Sequence, residues 1–229
     1  MSINEYDLAV DIQRYSAKTQ IGKRKKESTS YLIGKRALDM VCSFAGIVLL
    51  LPVFILIGIL LKLEDPKGSI FFAQIRIGKD GKAFRMYKFR SMVPNAEELL
   101  QSLIEKNDVS GAMFKMKNDP RITKVGKIIR RTSIDEFPQF WNVLKGDMSL
   151  VGPRPPLPRE IREYSAYDMQ RLLVKPGCTG LWQINGRSRL GFNEMVELDL
   201  EYISNRNLAV DLKIMAKTCR VLLGSKDAL

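Results

Sequence analysis

MVCSFAGIVLLLPVFILIGILL, Met40 to Leu61, contains no charged residue. About 20 apolar residues suffice to cross the hydrocarbon core of a bilayer, so this stretch decides whether the chain is a membrane protein and how it is laid out. A plain spanning helix is the simplest expectation. Two features oppose it. Pro52 lies near the middle, where it removes one helical hydrogen bond and bends the axis. The flanks are basic on both sides, with Lys23 to Lys26, Lys35 and Arg36 before the block and Lys62 and Lys67 after it. The positive-inside tendency cannot keep both flanks on one side of a membrane if the helix spans. A helix that enters, bends at Pro52 and returns satisfies both. The freed backbone groups at the bend then need partners at membrane depth, and Ser43 is too distant to be an obvious one. Charge and proline alone leave the spanning and re-entrant paths level.

Outward from the block, the chain divides into three parts: a polar, basic arm (residues 1–30), the membrane segment (31–63) and a folded domain (64–229). The arm has no apolar run of the kind a cleaved signal peptide needs, and its GKRKKESTS tail suits anionic lipid head groups. The domain is expected to be α+β and mainly helical. SIFFAQIRIGKDGKAFRMYKFRSM reads as two strands around an Asp80-Gly81 turn. PNAEELLQSLIEK reads as a helix capped by Asn95, with Glu98 completing a capping box. AMFKMK is a short strand candidate. Arg159 to Leu173, Asn193 to Ile203 and Leu208 to Leu223 read as helices, the last basic on its outer face as an interfacial amphipathic helix would be. GDMSLVGPRPPLP and KPGCTGLWQINGRS read as loops.

The 229 residues include 37 Lys+Arg against 25 Asp+Glu, a formal net charge of +12, and no histidine. The missing histidine removes Ser-His-Asp and Cys-His catalysis and every His-ligated metal site from this chain. The three cysteines form no CxxC pair, so neither a structural zinc nor a disulfide framework is expected. The basic balance favours anionic partners. No helix-turn-helix, RRM-like or zinc pattern accompanies it, so nucleic acid is not expected; neither is a P-loop or GxGxxG present.

Against this background TSIDEFPQ, Thr132 to Gln139, sets Asp135 beside Glu136 directly after two arginines. The pair could simply cap a helix: with Asp135 as N-cap, Pro138 falls at N3, where no intrahelical donor is required. Arg121, Arg130 and Arg131 upstream and Arg154 in VGPRPP downstream point instead to a phosphate site, since guanidinium groups match phosphate oxygens in bidentate fashion. Carboxylates beside a phosphate either hold Mg²⁺ or attack phosphorus. Trp182 could stack on a ligand or fill the core.

The order of these pieces resembles the bacterial sugar transferases, the monotopic phosphoglycosyl transferases. The stretches that carry it are KRALD, the apolar block with its central proline, YKFRSM, DPRITKVGKIIRRTSIDEFPQFWNVLKGDMSLVGPRP, KPGCTGLWQINGR and ELDLEYISN…DLKIM, from about Lys35 to Leu223. The resemblance implies transfer of a sugar-1-phosphate from a UDP-sugar donor to undecaprenyl phosphate at the cytoplasmic face of the bacterial inner membrane, with release of UMP. It also implies a Mg²⁺ requirement and a ping-pong path through a phosphosugar held on Asp135, with Glu136 as metal ligand. Lys88, Arg130, Arg154 and Asp199 are then expected at the substrate phosphates, Pro52 at the break of a re-entrant helix, and Lys35 and Arg36 at head-group level. TGLWQ leans toward hexose phosphates such as glucose or galactose. Departures are Leu51 before Pro52, where many relatives have serine, and Ile134 and Phe137, where leucine is frequent. With one apolar block the chain reads as a minimal catalytic form. A homodimer is left open.

Overall fold

The structure, a computed structural model, describes residues 28–103, 116, 118–186 and 190–224. The arm up to residue 27 and the AMFKMK strand candidate, apart from Met116, lie outside the described residues.

The apolar block forms α1, Thr29–Glu64, a helix of 36 residues with Pro52 inside it. The expected break near Pro52 is therefore not an end of secondary structure. A proline withholds one helical bond, and packing holds the helix on both sides of it. On the N-terminal side, Phe140 lies 3.0 Å from where a Cβ on Gly46 would stand. On the C-terminal side, Ile57 and Leu61 are buried with Phe89 and Ile129, and Val53 and Phe54 pack against them. Phe54 meets Phe89 edge-on at 5.2 Å. The outward face stays bare, with Leu49 77% and Leu63 75% exposed.

Polar residues at both ends of α1 bond into the folded domain. Asp39 is buried and accepts from the Leu150 amide (2.9 Å) and Ser149 Oγ (3.0 Å). Arg36 donates to the Val143 and Leu144 carbonyls at 2.7 and 2.8 Å. Lys35 donates to Asp211 Oδ2 (3.0 Å) and the Val151 carbonyl (3.1 Å). At the other end Glu64 accepts from the Lys124 and Val125 amides at 2.8 and 3.2 Å. Those are the first free N–H groups of α3, described below.

Strands β1 (Phe71–Ile77) and β2 (Ala83–Phe89) pair antiparallel, with Ile75 opposite Arg85 and Phe72 opposite Lys88. Asp80 and Gly81 make the turn at φ 55° and 77°, the left-handed conformation the Asp-Gly pair predicts. Helix α2 (Ala96–Leu103) starts directly after Asn95. Helix α3 (Lys124–Arg131) is capped by its own Thr123 as well as by Glu64. A single 3-10 turn, Ile134–Glu136, leads into α4, Gln139–Lys145.

The two glycine-rich runs are not plain loops. They contain β3 (Ser149–Val151) and β4 (Gly177–Thr179), paired in parallel. Glycines permit this approach: a Cβ on Gly177 would stand 2.1 Å from the Gly152 amide nitrogen. The expected helix over Arg159 to Leu173 is split into α5 (Pro158–Ile161) and a 3-10 segment (Asp168–Leu173). The interruption has a local cause, because Asp168 accepts from both the amide and the hydroxyl of Ser165, side-chain bonding that competes with a continuing helix. A short α6 (Leu181–Asn185) follows β4, then α7 (Phe192–Asn205) and α8 (Leu208–Gly224), where periodicity put them.

The main core joins Met86 of β2, Val143 of α4, Leu150 and Val151 of β3, Tyr202 of α7 and Ile214 of α8. Asn142, wholly buried, ties α4 to β2. Its Oδ1 accepts from the Tyr87 amide (3.0 Å) and its Nδ2 donates to the Arg85 carbonyl (2.7 Å). The leucine variant Asn142→Leu strands two part-buried backbone groups. It is expected to cost roughly 2–4 kcal/mol, read as a lowered denaturation midpoint in detergent.

Candidate active site

The acidic pair sits on the 3-10 turn rather than at the N-cap of a helix. Ser133, at φ 57°, reverses the chain out of α3. Pro138 then precedes α4, so its missing N–H costs nothing, while Asp135 makes no side-chain cap bond. A serine in the left-handed region carries strain of about 1 kcal/mol. Such strain gathers at functional turns.

The two carboxylates are unlike. Lys88 of β2 donates to Glu136 Oε1 at 2.6 Å, and the Glu136 side chain is 40% exposed. Burial acts to raise its pKa, yet Lys88, and behind it Arg154 and Arg76, hold it below the usual carboxylate range. Asp135 is 8% exposed. Burial pushes its carboxyl up to about 6, aided by repulsion from Glu136 and opposed by Lys88 and Arg130. Among the described residues no side chain hydrogen-bonds it.

Around the turn stand cations from separate elements. Arg130, half-buried in the last turn of α3, attracts Asp135. Arg154 follows β3, half-buried, its guanidinium carbon 6.0 Å from the centre of the Trp182 ring. Trp182 thus faces an arginine of the site. Lys88, Arg130 and Arg154 are accordingly brought to the acidic turn.

Asp199 is not open to a ligand. It is 1% exposed and bound by Arg171 Nε (2.8 Å) and a second guanidinium nitrogen (2.6 Å). Arg171 also reaches the Arg154 carbonyl at 3.5 Å, so the buried pair backs the loop that carries Arg154. Arg121 is likewise taken up, in a two-pronged pair with Asp119. Pro52 is distant from this turn in sequence, but Val53 and Phe54 beside it pack against the same cluster as Ile134, the first residue of the turn.

Sequence reasoning passed over Arg76 and Arg171. Arg76 of β1 is 7% exposed and donates to the Pro155 carbonyl at 3.0 Å. Burial, then repulsion from Arg154, brings its pKa down to about 10. Strand alternation puts Arg76 on the other face of β1 from Ile75 and Ile77 but gives no sign of what covers that face. Nothing local marks Arg171 as the partner of Asp199.

Two unlike carboxylates within a ring of lysine and arginine define a class of site, one built for an anion that reacts beside a carboxylate. The family follows. Residues 30–225 match the family model described as bacterial sugar transferase, and the chain belongs to that family. It is 48% identical over 195 residues to the galactosyl transferase CpsE of Streptococcus agalactiae serotype III, covering 85% of this chain and 43% of that protein. It is 43% identical over 202 residues to the undecaprenyl-phosphate galactose phosphotransferase of Salmonella typhimurium, covering 86% of this chain and 42% of that protein. The exopolysaccharide production protein ExoY of Rhizobium meliloti is 38% identical over 190 residues, covering 81% and 84%. The chain thus spans less than half the length of the first two and most of the third.

A raised carboxyl pKa has a consequence for stability. The contribution of Asp135 is fully present below its unfolded value of 3.8 and is lost as pH rises through about 6. At pH 7.5 its charge therefore opposes folding. Asp135→Asn is expected to unfold at the same or higher temperature than wild type at that pH; a lower midpoint would mean that the acid serves chiefly as a structural cap.

Proposed function

We propose that the chain is a phosphoglycosyl transferase that moves a hexose-1-phosphate from a UDP-sugar to undecaprenyl phosphate and releases UMP. The observation that carries this is the buried, unpaired Asp135 beside an ionised Glu136, within reach of Lys88, Arg130 and Arg154. The names of the relatives as galactosyl and undecaprenyl-phosphate galactose transferases support the donor and acceptor classes, and that of ExoY supports a role in exopolysaccharide production.

Asp135 is the nucleophile. Its carboxylate oxygen attacks the sugar-bearing phosphorus. As the Asp135–phosphorus bond forms, the bond to the bridging oxygen breaks, and UMP leaves with the electron pair. An oxygen of undecaprenyl phosphate then attacks the same phosphorus, and the carboxylate is released. Desolvation leaves the nucleophile short of hydrogen bonds, and the cations offset the repulsion between carboxylate and diphosphate.

Glu136 is the residue suited to Mg²⁺: Lys88 occupies Oε1, and Oε2 has no hydrogen-bond partner among the described residues. No cluster of three or more acidic or cysteine ligands occurs among the described residues. That suits Mg²⁺, which usually keeps its waters and takes one or two carboxylates with substrate phosphates. When bound, it supplies charge neutralisation at the diphosphate.

A re-entrant path for α1 at the cytoplasmic face completes the proposal. Its support is that Lys35, Arg36 and Asp39 on one side of Pro52, and Glu64 on the other, bond to the same folded body. A straight span would carry these ends to opposite sides of a core about 30 Å thick. Anionic lipids are the surface on which the basic chain rests.

Asp135→Asn is expected to abolish UMP release from UDP-sugars with polyprenyl phosphate, and normal turnover would remove the nucleophile assignment. Because the ionised carboxylate attacks, kcat/KM of wild type falls as pH drops through about 6. For topology, single cysteines at Ser28 and Ser69, with Cys42, Cys178 and Cys219 replaced, are both expected to react only from the cytoplasmic side. Labelling from opposite sides would establish a spanning helix.

A further inference from the structure

Among the charged groups near the acidic turn, Arg76 is bonded in an unusual way. Lys88 pairs with Glu136, and Arg171 pairs with Asp199. Arg76 is buried like Arg171, yet among the described residues its guanidinium donates only to neutral oxygens: the Pro155 carbonyl at 3.0 Å and Gln74 Oε1 at 2.7 Å. Its buried Nε has no acceptor among the described residues. The charges that act on it are Arg154 and Arg159, which repel, and Glu160 and Glu136, which attract. Glu160 accepts from the Leu157 amide at 2.9 Å through Oε2, and neither of its oxygens bonds Arg76; its buried Oε1 has no partner among the described residues.

A buried cation without a bonded carboxylate, set against a second guanidinium, is costly to the fold. A hydrocarbon side chain could pack in its place more cheaply. What Arg76 does hold is the Arg154-bearing segment. Besides the Pro155 bond, the Ile77 amide donates to the Pro156 carbonyl at 3.0 Å. The end of β1 is therefore fastened to the two residues that follow Arg154. The like charge of Arg76 then favours any arrangement in which an anion sits against Arg154.

We propose that Arg76 is a positioning residue for the donor diphosphate: it fixes Arg154 through the Pro155 carbonyl and supplies behind it a buried positive charge that no carboxylate bonds. Affinity is thereby graded by the phosphate charge of the ligand. This rests on the UDP-sugar reading of the site. Arg76 need not touch the substrate, because its guanidinium is buried, where a charge is screened less than on the surface.

The test is to titrate wild type, Arg76→Gln and Arg76→Lys, each in the same detergent, with uridine, UMP and UDP in the presence of Mg²⁺. Unfolding midpoints are recorded alongside. In wild type, affinity rises from uridine to UMP to UDP. Arg76→Gln is expected to weaken UDP binding about tenfold or more, the scale of a lost charge-assisted bond, while uridine binding is unchanged. Arg76→Lys restores part of the gradient, because the charge remains. Equal loss for uridine and UDP, or no loss for either, overturns the proposal, since mere packing support would not discriminate by ligand charge. Should Arg76→Gln fail to fold, Arg76→Lys decides: a shallower gradient supports the proposal, and one that is unchanged or absent overturns it. A wild-type protein with no preference for UDP over uridine would instead overturn the donor reading, leaving the two failures distinguishable.

Discussion

The 2.6 Å bond from Lys88 to Glu136 makes two adjacent, chemically similar acids into different reagents. One is ionised and half-exposed; the other is buried, unpaired and raised toward neutrality. That bond exists only because α4 and the turn before it dock on β2. Asn142 bonds the backbone on either side of Met86, and Val143 and Met86 share a core. Register matters here: in β2, Lys88 follows Tyr87, whose amide Asn142 holds. A shift of one residue would turn Lys88 to the other face of the hairpin and leave Glu136 as poorly matched as Asp135.

Much of the surrounding fold was legible where local rules decide it. The β1–β2 hairpin follows from alternation and an Asp-Gly turn, and α7 and α8 follow from helical periodicity. Long-range bonding was not legible. Ser165 and Asp168 split a stretch that reads as one helix. Gly152 and Gly177 turn two apparent loops into a parallel pair by letting their backbones meet. At the site, Asp135, Glu136, Lys88, Arg130 and Arg154 could be named from motifs and family likeness, and the fold brings them to one turn. Asp199 was named from the same likeness, but its role depends on Arg171, which lies 28 residues away in the chain. Arg76 depends on a strand facing a proline-rich segment, a contact that no spacing rule reveals.

The apolar helix and the acidic turn are not separate problems for this chain. Glu64, the last residue of α1, caps α3, and α3 carries Arg130 in its last turn and leads to Asp135. Asp39 and Lys35, near its start, bond the strand that precedes Arg154. Both arginine-bearing segments therefore take their placement partly from the helix that carries the apolar surface. The depth of the helix and the position of the acidic turn are therefore set together.

The most direct measurement is the intact mass of the protein after incubation with a UDP-sugar and Mg²⁺ in the absence of any polyprenyl phosphate. The account predicts a mass increase of one sugar phosphate, localised to Asp135 by peptide mapping and discharged on addition of the lipid acceptor. No adduct on wild type, under conditions in which full turnover occurs with acceptor present, would contradict it and point to direct transfer between the two substrates.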